Sequence, residues 1–264
     1  MSERLAPEEW WRRLLTGENP PLPIRQFRHL WGVIPGGERC KFCNAPYQGI
    51  GGPIMRAIGK GPSRLTPQLC RQCHDYAGRY LGGAEIELSM LFADVRGSTT
   101  LAEQMSASDF SRLISRFFAV AGDVFVRSDA LTDRLVGDQV IGLFVPGFAG
   151  ADHRRKAIAA ALALRTATGA GSAEGAWIPV GIGVHTGVAF LGAVGSDGLA
   201  TDITVLGDPP NTAARLASAA AAGEILVSEA AYVPLPGRPE PERRELLLKG
   251  KTAPVAVYVL AADD

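Results

Sequence analysis

Two apolar segments of this chain each run into a glycine-containing turn that carries an aspartate. Asp94 lies in the segment 92–99, which reads FADVRGST, and Asp138 lies in the turn between the apolar runs 131–136 and 140–144. Because such turns join β-strands, the pattern predicts that two carboxylates meet at one edge of a sheet. Paired carboxylates can hold divalent metal for phosphate chemistry, although a single aspartate of this kind more often stabilises a turn.

Hydrophobic periodicity places these aspartates in a sheet that is covered by helices. Residues 85–93 are apolar at every second position and, near their end, on both faces, which predicts a buried central strand. Ser108 is a candidate cap for an amphipathic helix that reaches residue 125. Further helices are predicted at 151–167 and 208–221, and further strands at 131–136, 140–144, 178–184, 188–194, 224–227, 245–248 and 255–260. With His185-Thr186-Gly187 as a hairpin turn, this order predicts an α+β fold.

Asp208 and Pro209 mark the start of the helix 208–221, because aspartate caps helices and proline suits the first helical position. Asn211 and Arg215 are four residues apart, so they share one face of this helix. An amide that contacts a ribose and a guanidinium that contacts a phosphate could act together from that face. The same spacing also occurs on an ordinary solvated helix face.

The four cysteines form two C-x2-C pairs within residues 40–73, Cys40 with Cys43 and Cys70 with Cys73. Each pair can hold one side of a tetrahedral metal ion, and the polar segment around them needs such a link to fold. The pattern favours structural Zn²⁺, but an iron-sulfur cluster uses the same four thiolates. Residues 70–74 also fit the C-x-x-C-H haem attachment pattern, which would leave the first pair without a role. His74 is otherwise a neighbour of the metal site or a surface residue.

Charge and composition exclude several classes of partner. Lys+Arg and Asp+Glu are both 27, so no overall charge attracts nucleic acid or an anionic membrane, and a small charged ligand fits better. The N-terminus lacks a basic-then-apolar export signal, and no run approaches the roughly 18 apolar residues of a membrane span. We expect a cytoplasmic protein with a helical segment at 1–34, a four-cysteine metal-binding module with its linker at 35–83, and a main domain at 84–264.

Residues 85–262 resemble the catalytic domain of class III nucleotidyl cyclases in five motifs, which occur in the order of that family. Residues 92–99 match the first metal motif, and 135–138 with Phe144 match the second. Residues 180–187 match the central strand, 206–215 the transition-state helix, and 248–250 with Tyr258 the C-terminal signature. The resemblance implies a ferredoxin-like cyclase domain, with a mixed, mostly antiparallel sheet and helices, beside a small irregular four-cysteine module.

The resemblance also implies that the protein is an adenylyl cyclase, which converts ATP to 3′,5′-cyclic AMP and pyrophosphate. Asp94, Asp138 and the Val95 carbonyl would bind two Mg²⁺ or Mn²⁺ ions. Asn211 would orient the ribose, Arg215 would stabilise the α-phosphoryl transition state, and Lys249 would meet the distal phosphates. Since these groups face each other across a head-to-tail dimer in the family, we expect a homodimer with two active sites. Independently of the resemblance, the backbone of Val95, Arg96, Gly97, Ser98 and Thr99 enters a helix, and its free N–H groups could bind the β- and γ-phosphates.

Base recognition is implied for Arg134 and Thr204. Arg134 stands where the family has its adenine-selecting Lys, and Thr204 is similar to the Thr-bearing subgroup of adenylyl cyclases. The planar fork of Arg134 is a donor but is not equivalent to a Lys point charge, so relaxed ATP/GTP specificity is a further hypothesis. Bicarbonate sensitivity is another, because the Thr-bearing subgroup often has it.

Two alternatives stay open. If Arg134 and the double proline before Asn211 prevent turnover, the chain is a weak or inactive cyclase-like nucleotide sensor. If the four cysteines hold an iron-sulfur cluster, it is a cyclase under redox control. His185 is expected to be structural.

Overall fold

The computed structural model of the chain describes residues 5–195, 202–237 and 240–260, except for the side chains of residues 134–136. Its helices are α1 (Pro7–Thr16), α2 (Ile24–Gly32), α3 (Gly51–Ala57), α4 (Arg71–Arg79), α5 (Ser98–Gln104), α6 (Ala107–Arg127), α7 (Pro146–Ala149), α8 (His153–Ala167) and α9 (Asp208–Ala219). Its strands are β1 (Gly82–Val95), β2 (Leu131–Val136), β3 (Gln139–Phe144), β4 (Val180–Val194), β5 (Asp202–Leu206), β6 (Ile225–Ser228), β7 (Glu242–Leu246) and β8 (Val255–Leu260). The predicted α+β class is confirmed.

The strands form one sheet in the order β2-β3-β1-β4-β6-β8-β7. The remaining strand, β5, is not part of this linear order and pairs with β4. β4 and β6 run parallel, whereas the other pairings between these strands are antiparallel. β1 and β4 lie at the centre and pair from Gly82 with Ala193 to Val95 with Val180. The predicted mixed, mostly antiparallel sheet is therefore confirmed.

Helices α6 and α8 cover one face of the sheet. Leu91, Ala93 and Val95 of β1 point to this side, where they join Phe117 and Phe125 of α6 in a buried core. The cap of α6 is Ser106 rather than the predicted Ser108, since the Ser106 hydroxyl accepts a hydrogen bond from the Asp109 N–H at 3.1 Å. The prediction placed the start of α6 too late because both serines are capping residues by type.

The other face of β1 is covered by α9 and by the N-terminal segment. Ile86, Leu88, Met90 and Phe92 point to this side and share one core with Trp10 and Trp11 of α1, the four cysteines, and Ala213 and Ala217 of α9. Trp11 Nε1 donates to the Tyr80 carbonyl at 2.7 Å. Gly82 and Gly83, which were predicted to belong to a linker, are instead the first residues of β1, because they pair with Ala193 and Gly192. The outer limits of the three predicted parts stay a prediction.

The predicted hairpin turn at His185-Thr186-Gly187 is wrong, because β4 is continuous from Val180 to Val194. Pairing with β1 along the whole of β4 outweighs the local turn tendency of these residues. Thr186 is buried, and its hydroxyl lies 2.7 Å from the Ser89 hydroxyl of β1. The actual hairpin partner of β4 is β5.

Close packing of α9 on β4 explains the glycines in the central strand. A Cβ atom on Gly183 would lie 2.3 Å from the Ala217 amide nitrogen and 2.6 Å from the Ala213 carbonyl oxygen. No side chain fits there unless α9 moves away from the sheet. Since α9 carries Asn211 and Arg215, Gly183 sets the distance of both residues from the sheet.

His185 lies in β4 with its Nδ1 atom 2.7 Å from the Ser228 hydroxyl. Burial, followed by the charge of Lys251, lowers the pKa of His185 to about 4, and Asp208 opposes this shift. In the unfolded chain a histidine has its ordinary pKa of about 6.5. Between these values the unfolded state binds more protons, so the stability of the fold decreases as the pH falls.

We expect His185 to lower the free energy of unfolding by about 2 kcal/mol between pH 7 and pH 5. Urea denaturation of the wild type and of His185→Gln at both pH values measures this, because glutamine does not titrate. The exposed His29 supplies the control variant, His29→Gln. Parallel pH profiles for the wild type and His185→Gln would show that His185 does not carry the acid sensitivity.

Candidate active site and metal centre

The two predicted metal-binding aspartates meet at one edge of the sheet. Asp94 is the last residue but one of β1 and pairs with Gln139, the residue after Asp138. The Val95 N–H donates to the Asp138 carbonyl at 3.3 Å, which joins the end of β1 to the β2-β3 turn. Gly137 has a φ of +62°, the left-handed conformation that this tight turn needs.

The environment of the two carboxylates suits a divalent cation. Asp94 is 19% exposed at its side chain, and Arg96 Nη2 forms an ion pair with Asp94 Oδ2. Burial raises the pKa of the Asp94 carboxyl, Arg96 opposes this rise, and the nearby Asp138 carboxylate adds to it. A divalent cation would remove the repulsion between the two carboxylates, so these residues fit Mg²⁺ or Mn²⁺.

Arg96 connects the aspartates to α9. Its Nη1 donates to the Ser218 carbonyl, in the last turn of α9, at 2.7 Å. After Arg96 the chain turns at Gly97, which has a φ of +66°, and enters α5 with Ser98 half-buried and Thr99 exposed. The residues predicted to contact substrate phosphates thus follow directly from the sheet edge that carries the two aspartates, and that role stays a prediction.

Asn211 lies in the first turn of α9, and Arg215 lies one turn later, in the middle of the helix. Asn211 is exposed in the first turn, where its amide donates to the Gly207 carbonyl at 3.2 Å. A rise of about 1.5 Å per residue puts about 10 Å along the helix axis between Asn211 and Ser218. Asn211 and the contact between Arg96 and Ser218 thus lie at different ends of α9, with Arg215 between them.

The loop between β7 and β8 docks on the start of α9. Lys251 forms an ion pair with Asp208, the first residue of α9, and this contact lowers the pKa of the Asp208 carboxyl. A Cβ atom on Gly250 would lie 3.1 Å from Arg215 Nη2, so the loop runs beside this guanidinium. Lys249 is exposed in the same loop. Lys251 was not predicted from the sequence, although the paired lysines around Gly250 were a signal for it.

The two strands predicted to recognise the base lie close together. Thr204 on β5 is buried, and its hydroxyl donates to Asp133 Oδ2 on β2 at 3.2 Å. Arg134 is the next residue of β2, but its side chain lies outside the part of the chain that the structure describes. Asp133 was not singled out in the sequence, because an acidic residue within a strand has no motif of its own.

The four cysteines converge in one buried cluster, as their spacing predicts. Their sulfur atoms lie within 4.8 Å of one another, and Cys43 Sγ is 3.8 Å from Cys70 Sγ. The N–H groups of Cys70 and Cys73 donate to Cys40 Sγ at 3.2 Å and Cys70 Sγ at 3.4 Å. Burial alone would raise the pKa of Cys40, but hydrogen bonds with the other three cysteines lower it well below its ordinary value. This cluster does not include His74.

Two cations, the buried Arg28 and the partly exposed Lys60, lie near the sulfur cluster. Arg28 is fully buried, and its guanidinium donates to the carbonyls of Lys41, Phe42 and Ala130. Although burial opposes it, the charges of the four cysteines raise the pKa of Lys60. Four thiolates around a divalent ion carry two net negative charges, which nearby cations stabilise in a buried site. The charge pattern therefore fits a metal ion at this position.

The catalytic-domain family of adenylate and guanylate cyclases matches residues 84–262. The chain belongs to this family. Its fold is similar to the adenylyl cyclase CyaB from P. aeruginosa, with 28% identity, a TM-score of 0.56, and coverage of 66% of this chain and 93% of that one. It is also similar to the guanylyl cyclase Cya2, with 26% identity, a TM-score of 0.58, and coverage of 68% and 93%.

Among curated relatives, an adenylate cyclase of Anabaena cylindrica is 29% identical over 138 residues, which are 49% of this chain and 26% of that protein. The chain spans less than a third of the length of the curated relatives that it matches. Within the residues that the structure describes, the helices all lack the length and apolar character needed to cross a membrane. The comparisons establish a nucleotidyl cyclase domain and leave the choice between ATP and GTP to the residues of the site.

Proposed function

We propose that this domain is an adenylyl cyclase, which converts ATP to 3′,5′-cyclic AMP and pyrophosphate. The observation that carries the proposal is the meeting of Asp94 and Asp138 at one sheet edge, with Asn211 and Arg215 intact on α9. Adenine is favoured over guanine because a donor at Arg134 and a hydroxyl at Thr204 stand at the implied base positions. ATP as substrate and four reduced cysteines also favour the cytoplasm.

In this proposal each residue acts on a different part of the nucleotide. Two Mg²⁺ or Mn²⁺ ions, when bound, lower the pKa of the ribose 3′-hydroxyl and neutralise the triphosphate. Asp94, Asp138 and the Val95 carbonyl would hold them, and Arg96 would then release the carboxylate with which it now pairs. Asn211 orients the ribose for in-line attack by its 3′-oxygen on the α-phosphorus.

Arg215 on α9 and Lys249 in the loop beside it would bind the phosphates. Arg215 stabilises the extra negative charge at the α-phosphoryl group, since its guanidinium can donate to two oxygens at once. Lys249 binds the distal phosphates from the neighbouring loop. Lys251 supports both residues indirectly, because its ion pair with Asp208 holds the loop on α9.

Asn211 and the Ser218 carbonyl that Arg96 contacts are about 10 Å apart along α9, which favours an active site that two chains build together. A head-to-tail homodimer places the aspartates of one chain opposite Asn211 and Arg215 of its partner. Apolar side chains of the β4-β5 hairpin support such a contact, because Val188, Val194 and Leu206 are 59%, 42% and 48% exposed. Exposed apolar side chains along one pair of strands are typical of protein interfaces.

The first test is product formation. We expect the protein to form cyclic AMP from ATP with Mn²⁺ or Mg²⁺, and to form less cyclic GMP from GTP. Asp94→Asn should lower the rate at least about 100-fold, because a neutral amide holds the cation poorly. The exposed Asp75 supplies the control, Asp75→Asn, which should keep the wild-type rate. Nucleotide binding without any cyclic product would instead favour the non-catalytic sensor.

The second test asks whether each site is shared between chains. Asp94→Asn and Arg215→Ala should each be inactive, but co-expression should restore activity, because a mixed dimer has one intact site. Random pairing makes about half of the dimers mixed, so about a quarter of the wild-type rate is expected. As the matched control, Asp94→Asn with Asp138→Asn damages both sites of a mixed dimer. If activity returned in that control, the shared site would be excluded. It would also be excluded if activity returned in neither mixture.

We further propose that the four cysteines hold one Zn²⁺. A tetrahedral ion with Zn–S bonds of about 2.3 Å needs sulfurs about 3.8 Å apart, close to the separations in this cluster. A cluster of four irons attaches each thiolate to a different iron and so requires wider spacing. The geometry therefore supports a single ion.

Elemental analysis should find one zinc per chain in a colourless protein. Cys40→Ser should lose most of this zinc and unfold at a lower temperature, because the ion orders a segment that is polar by composition. Ser115→Ala, on the exposed side of α6, is a control that should keep the zinc. Stoichiometric iron with visible absorbance would contradict the zinc proposal and favour the redox-controlled cyclase.

A further inference from the structure

Lys41, between the first two cysteines, reaches from the sulfur cluster into the cyclase sheet. It is only 7% exposed, which is rare for lysine unless its charge is paired. Its ammonium group forms an ion pair with Asp202 and donates to the Ile203 carbonyl at 2.8 Å. The same group lies 3.5 Å from the Asp133 carbonyl oxygen and 3.9 Å from Asp133 Oδ1. One side chain thus connects β2 with β5.

These contacts lie next to both positions implied in base recognition. Thr204 follows Ile203 in β5, and its hydroxyl donates to the Asp133 carboxylate at 3.2 Å. Arg134 follows Asp133 in β2. A change in the position of Lys41 would therefore alter the distance between the two strands that face the base.

Lys41 is built to position these strands rather than to touch the nucleotide. An ammonium group has three N–H donors, and here the nearby acceptors are Asp202, the Ile203 carbonyl and the Asp133 carbonyl. Because the group is buried among these acceptors, no donor remains for a purine.

The loop that carries Lys41 is held by the cysteine cluster on one side and by Arg28 on the other. Cys40 and Cys43 flank Lys41 and belong to the four-sulfur cluster. Arg28 donates to the Lys41 carbonyl at 3.3 Å and to the Ala130 carbonyl, just before β2, at 2.6 Å. A metal ion bound by the cysteines would fix the conformation of this loop, and the loop in turn is fixed to β2 at two points.

We propose that Lys41 is a positioning residue for base selection, through which the metal-bound cysteine loop sets the spacing of β2 and β5. The inference rests on the proposed nucleotidyl cyclase function and extends it, because it assigns the four-cysteine module a role in choosing the substrate. The module is then part of the specificity apparatus, and loss of its metal ion changes the preference between ATP and GTP.

The test is the ratio of affinities for two non-reacting probes, α,β-methylene-ATP and α,β-methylene-GTP, measured by calorimetry with Mn²⁺ on the full chain. Lys41→Met keeps the apolar stem of the side chain and removes the ammonium group. We expect the ratio to change at least about fivefold, while the zinc content stays at the wild-type value. In the turnover assay KM for ATP should change more than kcat, because Lys41 does not contact the reacting atoms.

Two further variants separate positioning from general damage. Lys60→Met removes a cation that also lies near the cysteines, and it should leave the ratio unchanged. Asp202→Asn weakens the same ion pair from its more exposed side and should change the ratio in the direction of Lys41→Met. If Lys41→Met does not fold, Asp202→Asn decides the question. An unchanged ratio in a folded, zinc-containing Lys41→Met or Asp202→Asn variant would overturn the inference.

The outcome for this inference can be told apart from the outcome for the proposed function. Cyclic product from the wild type with an unchanged affinity ratio in the variants would refute the role of Lys41 alone. Absence of product with a changed ratio would refute catalysis and keep the positioning role. A double variant with Thr204→Val should show non-additive effects on the ratio, because both residues act through Asp133.

Discussion

The antiparallel pairing of β1 with β4 is the constraint on which the rest of the structure depends. It extends over the full length of β1, from Gly82 to Val95. Its far end carries Asp94 to the sheet edge, where the β2-β3 turn supplies Asp138. The glycines of β4 let α9 approach the same pair of strands, which sets the place of Asn211 and Arg215. A shift of one residue in this register would turn the apolar side chains of β1 to the wrong faces.

The sequence predicted those features whose signal is local. Alternation at Ile86, Leu88, Met90 and Phe92 predicted β1, and the two C-x2-C pairs predicted the four-sulfur cluster, because period and spacing follow from backbone geometry. The meeting of Asp94 with Asp138 was also predictable, since each follows an apolar run. The catalytic role of the two aspartates is implied by the family resemblance, not by these local patterns alone.

Features that depend on distant pairing were missed. His185-Thr186-Gly187 has the composition of a turn, and Gly82-Gly83 has the composition of a linker. Both segments are nevertheless parts of strands, because β1 and β4 pair with each other along their length. Lys41 could not be recognised either, because its partners Asp133 and Asp202 are far away in the sequence and belong to no motif. Burial of this lysine becomes evident only when the cysteine loop is placed against β2 and β5.

The N-terminal segment and the sheet share one core, so the cysteine module is packed directly against the cyclase sheet. Trp11, Phe42 and the cysteines bury one face of β1, so this segment cannot leave without exposing Ile86, Leu88 and Met90. Within that apolar contact lie two cations, Arg28 and Lys41, whose burial is costly unless carbonyl and carboxylate acceptors surround them. Lys41 finds its acceptors on β2 and β5, and Arg28 joins the cysteine loop to the Ala130 carbonyl just before β2, so the contact has a fixed register as well as a large area. A module docked in this way transmits its own order to the strands it touches.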